Sequence, residues 1–343
     1  MGRSDDGTLT LGLAGDAMLG RGVARGIEVY GTDHAIGAVT PLWAEADARL
    51  ANLACALTGR RTGWEGAGVE SSYLRADPSA AQALARAGVD AVDLANDHTL
   101  DYGCVGLADT AAALDAVGVA HAGAGPDLAA AERPVRLERA GWRISLLAFA
   151  DRPAAWAAGP SAPGIRFVPM DASGAARARA AIAAERRHAD LVVVSMHWGP
   201  AMKNRPGPAC RNFARTLVEA GADVVWGHGA HVVQAVEWIH GRPVLYDAGD
   251  LVSDRAVDEA LRNDLGALFL VRAAPGGVRD VIVRATRTRG ARAEPAEGLE
   301  RDRMLGRLAE RCRELGTPAA VEAGVLRLPC PEPVARRGPA LVG

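Results

Sequence analysis

The run Asp223-Val224-Val225-Trp226-Gly227-His228-Gly229-Ala230-His231 joins a buried strand to two imidazoles through glycines. Its apolar half shows no polar alternation, as in a strand covered on both faces. The glycines let the backbone turn sharply, so that His228 and His231 can reach one point. Histidine is the commonest metal ligand and the natural acid/base near neutral pH. The same pattern recurs on either side. Leu191 to Met196 reads as a strand that ends at His197-Trp198-Gly199. Leu9 to Ala14 ends at Gly15-Asp16, and Asp90 to Leu94 ends at Asn96-Asp97-His98. Ile144 to Phe149, Val244 to Tyr246 and Leu268 to Val271 read as further strands. Between them lie alanine-rich helices over Ala80 to Ala87, Gly106 to Val117, Ala175 to His188 and Arg211 to Ala220. Apolar strands alternating with helices predict an α/β protein, its central sheet covered on its faces by helices. Ligands bind outside the carboxyl ends of such strands, where the Asp, Asn and His residues fall.

The 343 residues would make roughly two average domains, but single α/β domains run well past 200 residues. We assign residues 8–315 to one domain and 316–343 to a Pro/Arg-rich tail. Asp280 to Val283 reads as a last strand, Leu299 to Leu315 as an amphipathic helix, and Arg152 to Pro169 as a long loop or lid. With 39 basic and 41 acidic residues the net charge is −2, which argues against a nucleic-acid-binding surface. Lys203 is the single lysine, a bias towards arginine without functional weight. The five cysteines (Cys55, Cys104, Cys210, Cys312, Cys330) are odd in number and show no CxxC spacing. That excludes a zinc ribbon or a disulfide framework and fits a reducing compartment. Met1 to Thr8 lacks a signal-peptide pattern, and no apolar run is long enough for a bilayer. The expectation is a soluble cytoplasmic protein with no membrane or nucleic-acid partner. The sequence carries no signal for oligomeric state.

Three constellations carry chemistry. The first is His228 with His231, joined by His197. The second is Asn96-Asp97-His98 with Asp101: a carboxylate beside a histidine orients the ring and raises its basicity. Asp97 or Asp101 could equally cap the helix that follows. The third is Asp16, placed after the first strand as a metal ligand or catalytic carboxylate. Arg21 and Arg75 are candidates to bind a terminal carboxylate. Trp64 and Trp198 are candidates for a substrate surface, and Trp156 could join Trp64 in a pocket. The remaining histidines (His34, His121, His188, His240) read as structural or exposed, and Cys104 as packing.

Taken in order, Gly15-Asp16-x-Met18-Leu19-Gly20-Arg21, Asn52-Leu53, Ala95-Asn96-Asp97-His98, Asp101-Tyr102-Gly103, His197-Trp198-Gly199 and Gly227-His228-x-x-His231 resemble the CapA-type family. That family is named for poly-γ-glutamate capsule synthesis and is related to the calcineurin-like metallophosphatases. The resemblance runs from about Leu9 to Leu270. It implies an α/β/β/α sandwich, with Asp16, Asn52, Asp97, His197, His228 and His231 at metal positions and His98 at the acid/base position. The chain departs from the pattern at Ala54, where a glutamate is usual, and at Asp97, where an asparagine is usual. It departs again at Ala201, at Gly229-Ala230 and through Tyr246-Asp247-Ala248-Gly249-Asp250. Losing a bridging carboxylate and a histidine makes a two-metal phosphoesterase centre hard to hold. One harder divalent ion fits better, Ca²⁺ first, with Mg²⁺ or Mn²⁺ as alternatives and no organic cofactor.

A CapA-like chain without an anchor also resembles the enzymes found with lasso-peptide precursors. That resemblance implies a metal-dependent epimerase, with a ribosomal precursor peptide as partner. It would invert the Cα of a C-terminal residue, Trp first among the candidates. Inversion needs a base on one face, an acid on the other and stabilisation of an enolate-like intermediate. The pairs expected to supply this are His98 with Asp101 or Asp97, and His231 with Asp16. The rival readings are a metallophosphoesterase and a non-catalytic accessory protein for an acidic polymer.

Overall fold

The computed structural model describes residues 7–64 and 73–331. Most strands form two large sheets, with two further two-stranded pairs; strand–helix alternation alone predicts one central sheet, and the family resemblance implies the two-sheet sandwich that is found. The larger has the spatial order Ala320–Glu322, Val325–Pro329, Gly277–Arg289, Leu265–Ala274, Leu9–Ala17, Ala48–Leu53, Ala91–Asp93, Ala120–Ala122. It is parallel from Leu9–Ala17 to Ala120–Ala122 and antiparallel on the other side. The smaller sheet runs Val236–Ile239, Arg242–Leu245, Val224–His228, Leu191–His197, Trp142–Ala150, Val135–Arg139, with its four central strands parallel.

The period of two along each strand explains the layering. Ile144, Leu146 and Ala148 share a core with Leu11, Leu13 and Trp226, between the sheets. Leu147 and Phe149, one residue out of phase, pack instead with Ile182, Phe213 and Leu217. Those three sit on the helices Ala172–Glu185 and Pro208–Ala220. A strand with both faces covered reads as apolar throughout, and the same reading cannot tell whether a helix or a second sheet covers it. Two polar links tie the sheets together inside this core. Trp226 Nε1 donates to Ala14 O at 3.0 Å, and Ser195 Oγ donates to Asp93 Oδ2 at 2.5 Å.

The strand edges differ from expectation at two places. Ala320–Glu322 and Val325–Pro329 pair onto Gly277–Arg289, so the large sheet extends past Leu315, where the sequence reading ends the domain. Of the proposed tail, residues 332–343 lie outside the described residues. Arg152 to Pro169 is a loop, as read, but a tethered one. Gly164–Ile165 pairs with Ala124–Gly125, and Ala150 exchanges backbone hydrogen bonds with Arg166 and Val168. Among the described residues no helix is long and apolar enough to cross a membrane.

Candidate active site

Strand register places the polar residues side by side. Asp16 is level with Asn52 and with Asp250, Asn52 with Asp93, and His197 with His228. All are strand-end residues of the two facing sheets. Close backbone approach requires glycine at two points. A Cβ on Gly15 would lie 1.8 Å from Gly249 O, and Gly229, at φ +104°, would place one 3.0 Å from His197 Nε2. His231 itself is held at φ +57°, a conformation that costs a non-glycine residue energy and collects at functional sites.

Asp16 lies at the centre and is buried. Its Oδ1 is 3.2 Å from His228 Nδ1 and its Oδ2 is 3.3 Å from His231 Nδ1. Burial pushes this carboxyl up, but the two imidazoles outweigh burial and hold it well below the usual range. His231 Nδ1 is nearer still to Asp250 Oδ1, at 2.9 Å. Burial opposes the charge of His231, yet Asp250 and Asp16 together raise its pKa well above the ordinary value. Burial keeps His228 below its ordinary value, with Asp16 offsetting part of the effect. Burial likewise raises Asp250, against the pull of His231.

Asp16, His231 and Asp250 each offer a ligand atom within 4.8 Å of the others. Asp16 Oδ2, Asp250 Oδ2 and both ring nitrogens of His228 are buried without a well-formed hydrogen bond. Orphaned buried polar atoms of this kind are rare in folded proteins and call for an explanation. A divalent ion held by the carboxylates of Asp16 and Asp250, with His228 and His231 beside them, fits that donor set. Asn52 does not present its carbonyl to such an ion. Its Nδ2 donates to Asp16 at 2.8 Å, and its Oδ1 accepts from Asn96 at 2.9 Å. It therefore orients Asp16, a correction to the ligand role expected of it.

The second group faces the first. His98 Nδ1 is 2.8 Å from Asp101 Oδ2, which also accepts from Leu74 N at 2.7 Å. Asp97 Oδ1 lies 3.3 Å from His197 Nε2 and 3.8 Å from His98 Nε2. Of the two candidate partners of His98, Asp101 is thus the orienting one, and Asp97 stands at the open end of the ring. Burial works against the His98 imidazolium, but Asp101 and Asp97 raise its pKa overall. Burial pushes Asp97 up, and the charges of His197, His98 and His231 bring it below its ordinary value. Each group thus feels the charge of the other. For His231 the pairing differs from expectation: Asp250 makes the closer bond, and Asp16 is shared with His228.

The proposed substrate residues separate. Trp198 is buried behind the site, its Nε1 donating to Tyr246 O at 2.9 Å and its ring stacked on Tyr246. It is a packing residue, because no face is left for substrate. Trp64 packs edge-on against Trp156 with ring centroids 5.5 Å apart, and its backbone N donates to Asp101 O. Arg21 closes on Asp254 through Nε and Nη2 at 3.1 and 2.8 Å. Arg75 sits over Tyr102, next to Asp101, and lines a groove with Arg21, Arg61 and Tyr73.

Sequence reasoning missed Asp247, Asp250 and Arg255. Asp247 is buried and accepts from Ala230 N at 2.6 Å and Gly249 N at 2.8 Å, so it shapes the turn that carries His231. The signal lies in Tyr246-Asp247-Ala248-Gly249-Asp250, which follows a strand and puts acids where the family has a serine and an asparagine. A carboxylate missing at Ala54 is thus matched by one gained at Asp250.

Two sheets face to face under helices, with carboxylates and imidazoles on their meeting strand ends, define a calcineurin-like α/β/β/α protein of the metallophosphatase type. The chain belongs to the family described as Bacterial capsule synthesis protein PGA_cap, which matches residues 10–255. It is 37% identical over 187 residues to a probable polyglutamine synthesis accessory protein of Mycobacterium tuberculosis (strain ATCC 25618 / H37Rv), covering 52% of this chain and 49% of that one. It is 30% identical over 260 residues to the PGA biosynthesis protein CapA of Bacillus subtilis (strain 168), covering 74% of this chain and 65% of that one. The chain thus spans about half the length of the first relative and under two thirds of the second. The crystal structure of a hypothetical protein from Thermus thermophilus aligns over 84% of this chain and 98% of its own, with 18% identity and a TM-score of 0.46.

Proposed function

We propose that this chain is a metal-assisted acid/base enzyme acting on a peptide, inverting a Cα centre of a ribosomal precursor peptide. The observation that carries this reading is the pair of histidine–carboxylate couples, His98 with Asp101 and His231 with Asp250, close enough for the charge of His231 to act on His98. A Cα proton is removed on one face and returned on the other, so two separate acid/base groups are what the reaction needs. Asp101 fixes the proton on His98 Nδ1 and leaves Nε2 to exchange protons with substrate. Asp97, partly open to solvent, supports the imidazolium that forms. A divalent ion, when bound by the free carboxylate oxygens of Asp16 and Asp250 with His228 beside them, would supply a positive charge to stabilise the enolate-like oxygen and leave His231 to proton transfer. Ca²⁺ suits the carboxylates, and the imidazole in the set is a donor that Mn²⁺ also accepts.

The experiment is incubation in D₂O with a set of short peptides carrying different C-terminal residues, Trp first. One deuterium at a single Cα, with the inverted residue recovered after hydrolysis, is the expected result. Turnover of a phosphodiester without exchange would overturn it. A second reading, a non-catalytic accessory role for an acidic polymer such as poly-γ-glutamate, is favoured by the names of the relatives. It expects polymer binding that survives His98→Ala, and no exchange. The ion is tested separately by thermal melting. A hundredfold excess of Ca²⁺ or Mn²⁺ over its Kd should stabilise the fold by about 2.7 kcal/mol, and EDTA should remove the gain. Asp16→Asn should melt at the same temperature with and without metal; an unchanged response to metal in that variant would exclude this position for the ion.

A further inference from the structure

Arg255 follows the strand Asp250–Val252 and is half-buried beside His231. Its backbone N is fixed by Ser253 Oγ at 3.1 Å. Its Nη2 is 3.0 Å from His231 Nε2, the ring nitrogen that points away from Asp16 and Asp250. Its Nε is buried with no partner. None of the ion pairs among the described residues includes Arg255, although the arginines around it are committed: Arg21 to Asp254, Arg262 to Asp264 and Glu300. A guanidinium carries five N–H donors in a planar fork that matches a carboxylate. Here that fork is half-buried, and its one described side-chain contact is with the His231 imidazole. The acids of this centre, Asp16 and Asp250, stand on the Nδ1 side of His231, and the charge of Arg255 reaches Asp250 without an ion-pair contact.

We propose that Arg255 is a carboxylate-binding residue. It receives a carboxylate of the ligand, a free C-terminus or an acidic side chain, end-on through Nη1 and Nη2. The incoming oxygen takes the place of His231 Nε2 on Nη2, because a charged acceptor makes the stronger hydrogen bond. His231 Nε2 is thereby released towards the ligand, so Arg255 both selects a carboxylate and uncovers a reactive nitrogen. This rests on the reading above only in taking the cleft as the reacting centre; carboxylate binding itself needs no turnover.

The test uses the full chain and three short probes: Ac-Ala-Ala-OH, Ac-Glu-NH₂ and Ac-Ala-Ala-NH₂. Binding is followed by titration calorimetry and by the ring ¹⁵N resonances of His231. At least one carboxylate probe should bind ten times more tightly than Ac-Ala-Ala-NH₂ and move the Nε2 resonance. Preference for the first probe identifies a terminal carboxylate, and preference for the second an acidic side chain. Arg255→Gln should erase the tenfold preference and leave the Ac-Ala-Ala-NH₂ affinity unchanged, while Arg255→Lys should keep part of it. Equal binding of acid and amide by the natural chain overturns the proposal without any variant. A preference that survives Arg255→Gln does so as well. A chain that binds carboxylates at Arg255 but exchanges no Cα proton refutes the epimerase reading and leaves this one standing.

Discussion

His98→Ala lowers Cα exchange by at least about a hundredfold, the usual contribution of a positioned general base or acid. Two features of the site set that size. His98 Nδ1 is anchored on Asp101 at 2.8 Å, and Asp101 is anchored in turn by Leu74 N. The ring therefore has one orientation, with Nε2 presented to the cleft. Asp101→Asn keeps an acceptor for Leu74 but removes the charge behind the ring. It should cost at least tenfold and lower the midpoint of the pH–rate profile, because Asp101 is one of the groups that raise the His98 pKa. If His98 is the base, the rate of the natural chain rises with pH through a midpoint above the ordinary 6.5, and that limb moves down in the variant. Initial rates of deuterium uptake across about pH 5–9 check both statements. Undiminished exchange in His98→Ala would remove His98 from the chemistry and leave His231 as the group to test.

The other large effect concerns stability. Asp93 is fully buried between the sheets, and burial raises its carboxyl to about 8, with hydrogen bonds from Ser195 Oγ and Ala95 N opposing the rise. In the unfolded chain the same group loses its proton near 3.8. Between those values the unfolded state binds fewer protons than the folded one, so stability falls as pH rises, by up to about 1.4 kcal/mol per pH unit. The total lost by about pH 8 is on the order of 5 kcal/mol. Asp93→Asn is neutral at every pH. Its carbonyl can still accept from Ala95 N, and its amide can donate to Ser195 Oγ. The variant should therefore lose this part of the pH dependence between about pH 5 and about pH 8 and be more stable than the natural chain at the upper end. Urea unfolding at four pH values is the measurement. A variant less stable than the parent at the upper end would mean that the buried carboxylate is ionised there and favourably held.

Where the chain is legible from its sequence, local chemistry decides the outcome. Leu191–His197 and Val224–His228 are apolar almost from end to end and finish on histidines, so both strand and site can be read from them. Ala48–Leu53 is legible only as Asn52-Leu53, because Arg49 interrupts its apolar run. The Arg49 side chain folds back to donate to Trp43 O and Ala44 O, a tertiary solution that no window of sequence displays. The second sheet is hidden for a related reason: Leu146 and Leu147 look alike in the sequence and face different layers. At the site, Asp16, His98 and His231 stand out as polar groups after strands. Asp250 is legible only as an irregularity, because its importance comes from pairing beside Asp16 across the chain. Arg255 lies in a loop, and nothing in its neighbourhood of sequence indicates that its guanidinium reaches His231.

The position of Leu9–Ala17 between Ala48–Leu53 and Leu265–Ala274 has a consequence for biosynthesis. This strand leaves the ribosome roughly 250 residues ahead of its antiparallel neighbour, an interval of about 12–50 s at about 5–20 residues per second. Until then one edge of an apolar strand stands open, the condition that favours chain-to-chain pairing. Asp16 waits with it, since Asp250 comes from the same late part of the chain. The cluster around Asp16 is therefore incomplete while the chain is nascent, and early folding must rely on the parallel half of the large sheet, with chaperones as the natural guard of its exposed edge.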